Sequence, residues 1–290
     1  MRLTDAAREG AAAIAVEARS VRVVPGADLE LDGTPEPGLD RALHFLEGAR
    51  EDVARFFFTL DSINFGSGWF PTLRKRPGHS GYETIAACLT DRFRAVGPWS
   101  NAQLREIDTQ ATATLFDQSP DHELMALYAQ ALRDLGRWLG ERSALEAIAA
   151  AEGSAERLAS QLAAGMPLFR DRPFYKRAQL LPADLALAGV ADFDDLDRLT
   201  IFADNVVPHV LRCDGILEYD DDLATRIDSE QLLGPGREER EIRACALVAC
   251  EQLAGRHRIA PRVLDYWLWN RGRAPGYKAR PRHRCRCVYY

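Results

Sequence analysis

Apolar residues recur at every third or fourth position along most of this 290-residue chain, and no stretch alternates apolar with polar residues for long enough to make a sustained strand and hairpin. That pattern confines the chain to an all-α class. It predicts helices over Asp5 to Arg19 behind Thr4 as N-cap, and over Leu39 to Phe58. A further helix is expected from a capping box at Ser100 and Gln103 through Phe116, with another start at Ser119-Pro120 and a second box at Ser143 and Glu146. The spacing then gives Ser154–Ala164, Lys176–Ala188, Phe193–Leu211, Glu238–Leu253 and Pro261–Asn270. The Pro/Gly clusters at Pro25–Gly38, Pro71–Gly81 and Gly234–Gly236 are too short to separate domains, and no 30–45-residue repeat is present. The expectation is one globular helical domain over residues 1–290, and 47% hydrophobic residues suffice for its core.

No apolar stretch approaches the length of a membrane span. The first residues, Met1-Arg2-Leu3-Thr4-Asp5, meet an acid before any apolar run develops, so a soluble cytoplasmic protein is expected. The six cysteines contain no CxxC pair, and Cys285-Arg286-Cys287 is too tight for the usual zinc spacing. Asp220-Asp221-Asp222 lacks the ligand spacing of a calcium loop. Phosphate-binding glycine loops, dinucleotide fingerprints, HExxH and GxSxG are all missing. Neither metal nor cofactor is expected.

The formal net charge of −6 argues against a general nucleic-acid binder, but the charge is unevenly spread. From Arg271 to Tyr290 there are seven bases and no acid, which would suit an anion. From Asp184 to Glu230 there are thirteen acids against three arginines, which would suit a cation. Both blocks would equally serve as solvated surface. The basic tail nevertheless ends in Val288-Tyr289-Tyr290, an apolar finish that points to a docked segment. Only three of the 37 bases are lysines, Lys75, Lys176 and Lys278, so a position that keeps lysine is one where a compact ammonium has a use.

Three stretches concentrate groups capable of chemistry. In Phe56 to Pro71, six of the first fifteen residues are aromatic and run into Asp61, Asn64, Phe65 and a Gly-Ser-Gly turn. Ring faces beside hydrogen-bonding groups suit a planar heterocycle, although Asp61 or Asn64 would equally cap a core helix. In Asp192 to Pro208, the helical reading sets Asp204 beside a buried face with Phe202 and Asn205 as neighbours, and Pro208 interrupts the helix where the Asp204 carbonyl would need a donor. A carboxylate there would be partly desolvated, or else a surface acid on a bent helix. The third stretch is Arg262 to Asn270, with Asp265 and Trp267 ahead of the basic tail that carries Arg282 and His283. Lys176 adds an ammonium at a helix start, where free backbone N–H groups would reinforce anion binding.

Taken in order, FFFTLDSINFGSGWFP (56–71), KRAQLLPADL (176–185), LTIFADNVVPHVLRCDGIL (199–217), DYWLWNRG (265–272) and HRCRCVYY (283–290) resemble the queuosine salvage protein family, the queuosine 5′-phosphate N-glycosylase/hydrolases. The resemblance implies an all-helical fold related to helix-hairpin-helix DNA glycosylases. It also implies cleavage of queuosine 5′-monophosphate to queuine, for salvage into tRNA modification, and ribose 5-phosphate, without metal or cofactor. Two positions depart from the expected pattern: Gly66-Ser67-Gly68 stands between Phe65 and Trp69, and Asn205-Val206 replaces an expected tyrosine and basic residue.

On that reading the base to be released, queuine, is a planar 7-deazaguanine with a cationic side arm, and Asp204 is the catalytic carboxylate, stabilising an oxocarbenium-like sugar and deprotonating water, with Asp61 as the second choice. Asn64, Phe65, Lys176, Phe202, Asn205, Asp265, Trp267, Arg282 and His283 are expected to bind substrate, the phosphate going to the tail or to Lys176. The substrate partner is then a small nucleotide rather than nucleic acid or membrane, and unphosphorylated queuosine is an alternative substrate. The rival readings are a base-excision DNA glycosylase and a non-enzymatic nucleotide-binding helical module.

Overall fold

A computed structural model describes residues 1–31 and 36–290, so part of the Pro25–Gly38 loop lies outside the described residues. The chain opens with α1, Leu3–Glu17, and continues with α2, Arg50–Ser62, α3, Gly81–Val96, and the short pair α4, Asn101–Glu106, and α5, Thr109–Leu115. Next come α6, Glu123–Leu139, α7, Ala144–Ala149, α8, Ala155–Gly165, and α9, Lys176–Leu187. The last third holds α10, Val207–Cys213, α11, Asp221–Asp228, α12, Arg237–His257, α13, Pro261–Arg271, and α14, Pro275–Lys278. The described strands are β1, Val21–Val23, and β2, Leu217–Tyr219, paired antiparallel with Arg22 opposite Glu218.

Both expected capping boxes form, and Ser80 with Glu83 makes a third that starts α3, a helix the periodicity did not predict. Elsewhere local chemistry moves the boundaries. Thr4 does not cap α1; its N–H and hydroxyl both donate to Glu156 Oε1 at 3.0 Å, which ties α1 to α8. Residues 39–48 form turns rather than the start of a helix, because Gly48 sits at φ +93°. The helix predicted from Ser100 to Phe116 breaks into α4 and α5, where the Asp108 carboxylate accepts from Ala111 N–H at 2.7 Å and caps a new start. Asp220 likewise caps α11 by accepting from Leu223 N–H at 2.7 Å, so the acidic triplet serves as a helix start.

The largest departure is at Phe193–Leu211, predicted as one helix and found as a single 3-10 turn at Leu196–Arg198, an extended run and then α10. Side chains from three helices take the backbone groups that a helix would have paired internally. Gln179 of α9 accepts from Thr200 N–H at 2.9 Å, Asp265 of α13 from Phe202 N–H at 2.8 Å, and Arg243 of α12 donates to the Ala203 carbonyl at 2.8 Å. Tertiary partners outweigh periodicity here, and Thr200 to Ala203 are buried.

Two large apolar cores result, one around α2 to α9 with the three phenylalanines 56–58 at its centre, the other around α10, α12, α13 and the two strands. The C-terminal segment lies across both. Asn205 Nδ2 donates to the His283 carbonyl at 3.2 Å, Gly66 N–H to the Tyr290 carbonyl at 2.9 Å, and Leu233 bridges to Cys285. This path explains the Gly-Ser-Gly departure, since a Cβ on Gly68 would overlap the Cys285 carbonyl. Backbone cannot yield as a flexible side chain can, so Gly68→Ala should lower stability by about 2–3 kcal/mol. Thermal unfolding checks this, and a melting temperature equal to wild type would mean that the tail does not pack there.

Candidate active site

Between the two cores a cavity of about 590 Å³ opens, walled by α9, α13, the 202–206 run, the Asn64–Pro71 loop and the C-terminal segment. That is the size of a nucleotide-class ligand site. It brings together Asn64, Phe65, Lys176, Phe202, Asp204, Asn205, Asp265 and Arg282 from the residues singled out in the sequence.

Three of the predicted site residues lie elsewhere. Asp61, near the end of α2, is fully buried and outside the lining; its Oδ1 accepts from Asn64 Nδ2 at 3.3 Å while Oδ2 has no partner among the described residues. Trp267 faces away and packs under the Arg271 guanidinium, 4.8 Å from the ring centre. Trp269 lines the cavity instead, because it lies four residues after Asp265 on the same helix face, whereas Trp267 lies two after. His283 is buried behind the wall, its Nε2 3.3 Å from the Tyr290 hydroxyl, and burial pushes its imidazole down to about 3.

Asp204 precedes α10, and its Oδ1 accepts from Val206 N–H at 2.7 Å and Val207 N–H at 3.1 Å. This turn, just ahead of Val206 at the N-cap and Pro208 in the first turn of α10, fixes the side chain against the cavity while Oδ2 takes no protein hydrogen bond among the described residues. Opposite it, Asp265 is anchored through Oδ1 to Phe202 N–H. Burial, and next the Asp204 charge, push the Asp265 carboxyl up to about 8, against the pull of the Phe202 N–H and Lys176. Burial likewise pushes Asp61 up to about 7, against the pull of Lys176, the Asn64 amide and Arg177.

Lys176 opens α9 on the cavity wall, its Nζ 3.3 Å from Asn64 Oδ1 and 3.4 Å from the Asn64 carbonyl. Burial lowers its ammonium's pKa, and Asp204 and Asp61 resist the shift. One N–H of the α9 N-terminus is already taken, because Lys176 N–H donates to Asp171 Oδ2 at 3.2 Å. Lysine scarcity proves an informative signal, since all three lysines line this cavity. Lys75 and Lys278 stand exposed at its mouth with Arg282 nearby, and no ion pair engages these three among the described residues. Asp184, Tyr82 and His44 also line it and were not singled out from sequence, although 176, 180, 183, 184 and 187 share one face of α9. Among the described residues no group of three or more His, Cys, Asp or Glu is arranged to hold a metal ion, and no helix is long and apolar enough to cross a membrane.

The raised carboxyls give stability a pH dependence of definite sign. Asp265 binds its proton in the folded chain from roughly pH 4, its unfolded value, up to about 8, so its contribution to stability declines as pH rises through that window. Asp265→Asn keeps an acceptor for Phe202 N–H but cannot ionise. The fall in melting temperature from pH 5 to pH 8.5 should therefore be smaller in the variant, and an identical fall would mean that Asp265 titrates normally.

Fold and cavity define a helical protein with one acid-floored, nucleotide-sized cleft rimmed by lysine and arginine. The family model described as "Queuosine salvage protein" matches residues 43–290, and the chain belongs to that family. It is 34% identical to a queuosine 5′-phosphate N-glycosylase/hydrolase of Sphaerobacter thermophilus, over 97% of this chain and 94% of that one. It is 29% identical to a protein of the same name in Mus musculus over 86% of each, and 27% identical to one in Schizosaccharomyces pombe over 85% of this chain and 86% of that one.

Proposed function

We propose that this protein hydrolyses the N-glycosidic bond of queuosine 5′-monophosphate, releasing queuine and ribose 5-phosphate, with Asp204 as the catalytic carboxylate. The observation that carries this reading is the Asp204 side chain, held through one oxygen by two backbone N–H groups and offering the other to a cavity of nucleotide size. Relatives bearing that activity in their names align over nearly the whole chain.

In the reaction the C1′–N9 bond breaks with its electron pair leaving on the base, and positive charge develops on the sugar. Asp204 stabilises that charge and takes the proton of the water that adds to C1′. Queuine carries carbon where a purine has N7, so the base cannot leave by protonation there. Asp265, its carboxyl raised to about 8, hydrogen-bonds the departing base and gives it its proton, and the proton that Asp204 takes from water restores the balance. Phe202 and Trp269 offer ring faces to the heterocycle, and Asn64 offers its amide to the base edge. Lys75, Lys278 and Arg282 form the phosphate rim, while Lys176 offsets the carboxylates and orients Asn64. General base catalysis supplies roughly 10²–10⁴-fold, so most of the acceleration rests on fixed charges in this water-poor cleft.

The substrate is the free nucleotide, met in the cytoplasm. The net charge of −6 and the acidic floor disfavour the base-excision reading, since duplex DNA would bring many phosphates to a site with few free cations. The test compares queuine release from queuosine 5′-monophosphate and from queuosine. Faster release from the monophosphate is expected; equal rates would remove the phosphate rim, and no release from either would return the DNA glycosylase and binding-module readings.

A further inference from the structure

Four carboxyl groups gather around Lys176 at the base of the cavity, three of them in its lining and Asp61 just behind it. Asp61, Asp184, Asp204 and Asp265 all act electrostatically within the cluster around Lys176, and three of them have identifiable protein donors: Asn64 Nδ2, the Val206 and Val207 amides, and Phe202 N–H. Asp184 has none. It is nine-tenths buried and lines the cavity between Leu180 and Leu187, and its carboxyl group makes no hydrogen bond or ion pair among the described residues.

The polar group nearest in kind does not help it. The Asp40 carbonyl can only accept, so His44 Nδ1 donates to it at 2.9 Å and His44 Nε2 accepts the Tyr82 hydroxyl proton at 3.1 Å. Tyr82 is thus committed as a donor elsewhere. Burial, with Asp61 adding to it, pushes the Asp184 carboxyl well above the usual carboxylate range. A buried acid without a donor is costly unless a ligand supplies one. Asp184 also stands eight residues beyond Lys176, roughly 12 Å along α9, and the charges acting on it are those of Asp61, Lys176 and Asp265.

Resting on the proposed queuosine 5′-monophosphate reading, we propose that Asp184 is the specificity residue for the substrate's cationic side arm, its carboxylate pairing with the arm's ammonium. The substrate is then held as a zwitterion, with its phosphate at the Lys75, Lys278 and Arg282 rim and its ammonium on the acidic floor. A guanine edge alone is neutral and gives Asp184 no cation to pair with.

The test uses two free bases of similar size, 7-aminomethyl-7-deazaguanine, which is a cation, and 7-cyano-7-deazaguanine, which is neutral. The wild-type protein should bind the cation about 30-fold more tightly, the effect expected of a buried charge pair. Asp184→Asn should bring that ratio close to one while leaving the affinity for the cyano base unchanged. Equal binding of both bases by the wild type overturns the proposal, as does a variant that retains the preference or that loses both bases alike. Asp184→Ser supplies a second uncharged variant should the asparagine form not fold, and the wild-type ratio needs neither. If the wild type shows the preference yet releases no queuine from queuosine 5′-monophosphate, the hydrolase reading fails while this one stands.

Discussion

Asp204→Asn is expected to reduce kcat on queuosine 5′-monophosphate by at least about 10³-fold while queuine still binds within a few-fold of wild type. The asparagine oxygen can still accept from Val206 and Val207 N–H, so the turn that opens α10 survives. What disappears is the negative charge facing the anomeric carbon and the capacity to take a proton from water. A loss confined to kcat identifies an interaction made in the transition state, whereas a rise in KM alone would identify one made equally with bound substrate. Activity within tenfold of wild type would remove Asp204 from the chemistry and leave Asp265 as the next candidate.

Arg177→Ala is expected to destabilise the fold by about 3–5 kcal/mol. The guanidinium is 1% exposed and donates to the carbonyls of Ser62 at 2.6 Å, Val288 at 2.7 Å and Asp61 at 3.4 Å, and to that of Leu168. It is also sandwiched between the rings of Phe65 and Phe169, each centre 4.6 Å away. One side chain therefore joins the end of α2, the approach to α9 and the C-terminal segment. Alanine leaves four carbonyls short of a donor, two of them buried and two partly buried, and opens a void between two rings. The melting temperature should fall by roughly 6–20 °C, and Arg177→Lys should rescue little, because an ammonium cannot span the same set of acceptors. A melting temperature within 2 °C of wild type would contradict this account of how the tail is held.

The helical class was legible because amphipathic spacing and capping boxes are local, and Ser100 with Gln103 or Ser143 with Glu146 need no tertiary partner to act. The run from Thr200 to Asp204 was not legible as extended, since the groups that hold it, Gln179, Arg243 and Asp265, come from three distant helices. Its residues kept helical spacing only because every one of them is buried or partly buried. Asp204 was picked out for the proline four residues on; in the folded chain the relation is reversed, and Asp204 and Pro208 together begin a helix instead of ending one. Helical spacing from Asp265 selects Trp269, one turn on, rather than Trp267 for the cavity. Asp184 lies two turns beyond Lys176, a spacing that puts both on one face of α9 but by itself does not distinguish a cavity acid from a surface one. The three lysines were the least expected guide, a compositional rarity whose members converge on one cleft from residues 75, 176 and 278. Arg177 gave no signal, because a buried arginine reads in sequence like any exposed one.

The most direct test of the central claim is to incubate the purified wild type and Asp204→Asn side by side with queuosine 5′-monophosphate and to quantify queuine and ribose 5-phosphate by mass spectrometry. The account predicts one-to-one release of both products by the wild type and essentially none by the variant. Substrate left intact by the wild type, or equal release by the two proteins, would contradict it.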